Sequence, residues 1–275
     1  ASVTPNGGLS IIGTGRVALD APYIGGQGGS TLTIAGILTN ASTDANGLSI
    51  GNSGITSGVT VTASELANTG QINLIGSSTA QATLRVTAGV ASFGTAREQT
   101  GFVHLQGNAL LEFPSESIQT VKGTLWIEGK NARVADAGAP STNSALVELT
   151  TVSGTFALGD GASVGKTVGD LSITGTGRVA LDAPYLGGAG GSTLTIGGRL
   201  HNTSKDGNAL DIGNASLKSA DTVSALFLEN TGRINIVGSA AAQATLDITK
   251  GAASMGTAGV ATGFVYLENN ALLQF

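Results

Sequence analysis

An all-β chain wound as a right-handed parallel β-helix (β-solenoid) is what this sequence predicts, and three observations predict it. Residues 9–113 align with 171–275 at a constant offset of 162 without a gap, and 67 of those 105 positions are identical. Within the repeat, apolar residues recur at i and i+2, the alternation of a strand with one buried face. Clusters of Gly, Asn, Asp and Ser separate these segments, as turns require. No stretch keeps a helical period.

The alternation runs in order through Leu9/Ile11, Leu32/Ile34, Leu48/Ile50, Ile72/Leu74, Leu84/Val86, Val103/Leu105, Leu125/Ile127 and Phe156/Leu158. Many of these pairs lie about 20–25 residues apart, the length of one coil in a stacked solenoid. A single coil cannot bury its apolar face, and stacking makes the core continuous. On that spacing the chain makes about 12 coils, each rising about 4.8 Å. Two β-sandwiches in tandem are the competing fold. They require a linker, whereas residues 114–170 continue the strand pattern with "GTLWIEG" and "ALVELTTVSGTFALGDGASV". The organisation expected is a lead over 1–8, a first 162-residue unit over 9–170 and a second, truncated unit over 171–275, all one solenoid. Because the second copy stops in mid-repeat, a fragment of a longer tandem array is expected.

The two copies also separate core from surface. Apolar positions exchange like for like, as at Leu74/Ile236, Ile75/Val237, Val86/Ile248 and Phe93/Met255. Such swaps conserve core volume. Charged positions change freely, as at Arg85/Asp247 and Thr43/Lys205. With 275 residues, a net charge of −5 and dispersed Lys and Arg, the chain lacks the positive cluster that nucleic acid or an anionic membrane needs. It has no apolar run long enough to span a bilayer, so no direct membrane insertion is expected of this segment. The absence of cysteine excludes disulfides, thiol nucleophiles and thiolate metal sites.

The strand grammar of "ANTGQINLIGSSTAQATLRVTAG" resembles the repetitive regions of very large bacterial surface proteins, the autotransporter passengers and filamentous-haemagglutinin-like adhesins. The likeness covers essentially the whole chain and lies in Asn-Thr-Gly turns, "I-x-x-x-G" strand ends and "A-T-L-x-V" strands. It implies an extracellular or cell-surface stalk that supports attachment, cell–cell contact or biofilm. It carries over no catalytic residue. Self-association, end to end or laterally, and a host or polysaccharide ligand are the partners expected. The alternative is a carbohydrate-binding or carbohydrate-degrading β-helix.

"GGQGGSTLT" (25–33) and "GGAGGSTLT" (187–195) match a calcium-binding nonapeptide except at the acid, where Ser30 and Ser192 stand. Such sites need successive nonapeptides, and here the match occurs once per unit. A glycine-rich corner is the expectation, with no metal and no cofactor. "GRVALDAPY" (15–23 and 177–185) repeats without change. Alternation points Arg16 and Asp20, and likewise Arg178 and Asp182, outward as candidate surface contacts. Four strand residues, about 13 Å, separate each Arg from its Asp, so each is expected to pair with a neighbouring coil. Trp126, in "TLWIEG", should face outward with His104 about one coil below, a candidate aromatic contact. Catalysis is not expected. His104 and His201 align with Tyr266 and Thr39, so neither repeats, and the acids of "EQT" and "SESI" are isolated. Thr-x-Thr pairs (Thr31/Thr33, Thr60/Thr62, Thr193/Thr195) do not recur coil after coil along the sequence, so no flat threonine array is expected.

Overall fold

In the computed structural model, which describes residues 1–115, 117–165, 167–256 and 263–275, the chain is all-β. Parallel sheets stack as a β-solenoid of about 9 turns. The helical content among the described residues is a single 3-10 turn, Ser144–Leu146. The count of turns corrects the 12 expected from sequence. Corners absorb more residues than the strand spacing suggests, so hydrogen bonds between coils join residues 22 to 32 apart.

Contacts divide the chain into two compact units, Ala1–Ile118 with Gly123–Leu146, and Gln119–Lys122 with Val147–Phe275. In the first unit one sheet runs through Val17–Leu19, Leu48–Ile50, Gln71–Ile75, Phe102–Gln106 and Thr124–Glu128. Its register stacks Leu48, Ile72, Val103 and Leu125 in one inward column and Ile50, Leu74, Leu105 and Ile127 in the next. All eight are fully buried. Burial of each contributes about 1.5–3 kcal/mol relative to exposure. This is the alternation seen in the sequence, now stacked rung on rung.

The facing sheet of the first unit uses two long strands, Thr31–Ser42 and Val59–Asn68, whose register shifts between Ile34 and Ile37. The second unit splits the equivalent segments into Thr193–Thr195 and Arg199–Asn202, and into Asp221–Ala225 and Phe227–Asn230, which belong to two different sheets. Each coil of the second unit therefore has three faces. The first is formed by Thr155–Gly159, Arg178–Leu181, Leu210–Ile212, Arg233–Val237 and Phe264–Glu268. Its inward columns are Phe156–Val179–Leu210–Ile234–Val265 and Leu158–Leu181–Ile212–Ile236–Leu267.

The Asn-Thr-Gly corners are tied by buried amides. Asn40 Nδ2 donates to Asn68 Oδ1 at 2.8 Å and to Gln71 O at 2.9 Å. Asn202 Nδ2 repeats the geometry with Asn230 Oδ1 at 2.8 Å and Arg233 O at 3.1 Å. A side-chain amide carries two donors and an acceptor, which lets it bond a coil above, a coil below and its own turn at once.

Candidate functional site

In each unit, the row of this face that points away from the aliphatic columns carries the polar and aromatic side chains of successive coils. In the first unit it reads Ala18, Ser49, Asn73, His104 and Trp126, each opposite the next in register. His104 and Trp126 stack with ring centroids 4.1 Å apart and planes 17° from parallel. Sequence spacing alone had placed them one coil apart on the same face, and the structure brings them together. Glu128 orders the pair: its carboxylate lies 2.8 Å from His104 Nε2 and accepts from Gln106 Nε2 at 3.0 Å. The Trp126 Nε1–H is buried and has no acceptor. His104 keeps only 15% of its side chain exposed, so the stack lies flush with the sheet rather than standing out as an aromatic ridge. Trp126 is the sole tryptophan. Truncating His104→Ala should therefore change the chain's tryptophan emission and lower stability by about 1 kcal/mol, the value of a stacked pair. Unchanged emission in the variant would show that the rings do not stack.

Arg16 and Arg178 bond to the following coil as expected. Arg16 pairs with Asp44, and Arg178 Nη2 lies 2.8 Å from Asp206 Oδ2. Each partnership holds the Asp44 or Asp206 carboxyl below its ordinary range, although burial of Asp206 opposes the effect. Asp20 and Asp182 correct the expectation. They do not continue the outward alternation, because both adopt positive φ, 47° and 44°, which ends the strand and turns the side chain beneath the glycine-rich corner. Asp182 is completely buried. A Cβ on Gly26 or Gly188 would fall 1.8 or 1.6 Å from the Asp20 or Asp182 Oδ1. The glycine-rich corner is thus moulded around an aspartate, and that is why the two glycines persist in both copies.

In the second unit the outward row becomes Ala157, Ala180, Asp211, Asn235 and Tyr266. Its last three members line an open cavity of about 340 Å³, together with Tyr185, Arg233 and Glu268. Asp211 is only 3% exposed, and burial pushes its carboxyl up to about 6 against the pull of the Asn235 amide, Arg233 and Arg178. Arg233 lies over the Phe264 ring, 4.8 Å from its centroid. Tyr266 donates to Glu268 at 2.9 Å. The equivalent positions in the first unit are Tyr23, Ser49, Gln71, Asn73, His104 and Gln106.

No known family, curated protein or solved structure matches this chain. The site must be read from its own chemistry. Two tyrosines, an amide, an arginine and two acids make a polar, aromatic-edged cleft suited to a ligand rich in hydroxyl groups. The signal that would have found it in the sequence is the divergence of Ser49 to Asp211 and Gln71 to Arg233 within an otherwise close repeat.

Other sequence candidates resolve simply. His201 is partly exposed with Nε2 3.8 Å from Glu229. Glu116, the acid of "SESI", lies outside the described residues. Among the described residues no group of three or more His, Cys, Asp or Glu side chains converges as a metal site. The threonines depart from expectation. Thr31 stacks on Thr60 and Thr60 on Thr83, and Thr193 on Thr222 and Thr222 on Thr245. The adjoining column ends at Arg85 in one unit and Asp247 in the other, so the array is narrow.

Proposed function

We propose that this chain is a structural stalk segment of a secreted or cell-surface bacterial adhesin, which holds binding regions away from the cell and supports attachment or cell–cell contact. The observation that carries the reading is the coil-to-coil tie: a buried aliphatic column joined at the corners by the Asn40–Asn68 and Asn202–Asn230 amide pairs. Such a construction resists extension, because each coil is hydrogen-bonded to its neighbours along its length. The experiment is to pull the chain from its ends in a force spectrometer while assaying it against bacterial and plant polysaccharides. High, stepwise unfolding forces with no turnover are expected. Turnover of any polysaccharide, or unravelling at low force, would sink the stalk reading.

The Asp211 cleft favours a second reading, that the segment also binds carbohydrate. Converting it to its first-copy counterpart, with Asp211→Ser and Arg233→Gln, should abolish capture on a glycan array while leaving the chain folded and no less stable. Equal capture by the native and converted chains would show that the cleft is not the contact.

A further inference from the structure

Beneath the second glycine-rich corner, three buried oxygens lack a hydrogen-bond partner: Asp182 Oδ2, Asp221 Oδ2 and Ser192 Oγ. All three residues are fully shielded from solvent. Among the described residues seven buried side-chain polar atoms have no partner, and three of the seven belong to this one spot. An isolated orphan is a local defect; a cluster of oxygens signals an ion or water that holds them.

Ser192 and Asp182 each meet Asp221. The strand register sets Thr193 opposite Thr222 and therefore Ser192 opposite Asp221 on the inward row, and Ser192 N donates to Asp221 Oδ1 at 2.9 Å. Asp182 reaches the same point from the neighbouring face, within hydrogen-bonding distance of Asp221. Asp160 N donates to Asp182 Oδ1 at 2.9 Å. Backbone N–H groups thus bond the Oδ1 of each acid, and the Oδ2 of each is left without a partner.

We propose that Asp182, Asp221 and Ser192 bind one divalent, oxygen-preferring cation of the magnesium or calcium class. The donor set is oxygen only, as hard cations require. The number of orphaned oxygens decides between a cation and a shared proton. A single proton shared by the two acids leaves the Ser192 hydroxyl without a partner, whereas a divalent cation takes all three orphaned oxygens. The first copy supplies a natural control. It keeps Asp20 and Ser30 but has Val59 where the second has Asp221. There Ser30 N donates to Asp20 Oδ2 at 3.3 Å, and no second acid exists. The glycine-rich nonapeptide is therefore the frame of the site, and the deciding ligand comes from a strand 39 residues beyond Asp182.

The test uses the full 275-residue chain stripped with EDTA and dialysed. It is titrated separately with Mg²⁺, Ca²⁺ and Mn²⁺ by calorimetry, with metal content read by elemental analysis. One cation per chain and a melting temperature raised by several degrees are expected. Asp221→Val, the residue of the first copy, should bind none and melt at the same temperature with or without cation. If that variant does not fold, Asp221→Asn is read in its place. Failure of the native chain to bind any of the three ions at millimolar concentration would overturn the proposal, and a carboxylic-acid infrared band lost in Asp221→Val would then assign a shared proton. Undiminished binding by a folded Asp221 variant would overturn it as well.

Discussion

Asn68→Ala should destabilise the first unit by about 3 kcal/mol, read as a fall in the urea midpoint. Asn68 is fully buried. Its Oδ1 accepts from Asn40, and its Nδ2 donates to Gly70 O and Thr100 O, both at 3.2 Å. Truncation removes all three bonds and leaves one Asn40 N–H buried without an acceptor. The two carbonyls suffer less, because Gly70 O also accepts from Phe102 N and Thr100 O also accepts from Gln99 Nε2. The cost therefore lies mainly in the orphaned donor and the lost corner tie. A double-mutant cycle with Asn40→Ala isolates the pair, and a coupling of about 1 kcal/mol or more is expected for two side chains in one network. The equivalent truncation at Asn230 should act the same way in the second unit. A loss under about 0.5 kcal/mol would mean that the amide column is ornamental and that the aliphatic core alone holds the coils in register.

The inward columns were legible in the sequence because a strand has period two and one buried face. Leu48/Ile50, Ile72/Leu74 and Leu125/Ile127 are therefore read correctly from their alternation alone. The coil length was not legible, because corners have no period. Residues 20–30 form one extended corner between Val17–Leu19 and Thr31–Ser42, and nothing in their spacing announces its length. The neighbourhood of His104 and Trp126 was legible because both lie on strands a coil apart, but their stacking flush with the sheet was not. The fate of Asp20 and Asp182 was hidden by the left-handed backbone at each, which breaks alternation at the residue where it was extrapolated. Asp221 was invisible for a different reason. Its significance lies in what it stands against, and only the fold sets it against Asp182. Repetition within the chain recovers some of this. Where two copies agree at 67 of 105 positions, the changes Ser49 to Asp211 and Val59 to Asp221 each introduce an acid at a buried position, and both sit at candidate sites.

Asp211→Asn should make the second unit more stable at pH 7 by on the order of 2 kcal/mol, and leave it unchanged near pH 4. The carboxyl is raised from 3.8 to about 6, chiefly by burial. Asp206 raises it further, while the Asn235 amide, Arg233 and Arg178 pull it down. A raised acid holds a proton in the folded chain that the unfolded chain releases. Between about pH 4 and 6 the folded state therefore binds more protons, and stability falls as pH rises through that window. Below it both states are protonated and the penalty is absent; above 6 the penalty is complete. Asparagine cannot ionise, yet its Oδ1 still accepts the hydrogen bond that Asn235 Nδ2 gives to Asp211 Oδ1. The difference in urea midpoint between variant and native chain, followed from pH 4 to 7, should grow from zero and level off above 6. A difference that is flat with pH, or that favours the native chain at pH 7, would show that Asp211 is not desolvated. The first copy places Ser49 at this position, so the fold itself does not require a charge there. A buried acid that costs stability at neutral pH, set beside Arg233 and Tyr266 in the lining of an open cleft, is the feature on which the proposed carbohydrate contact rests.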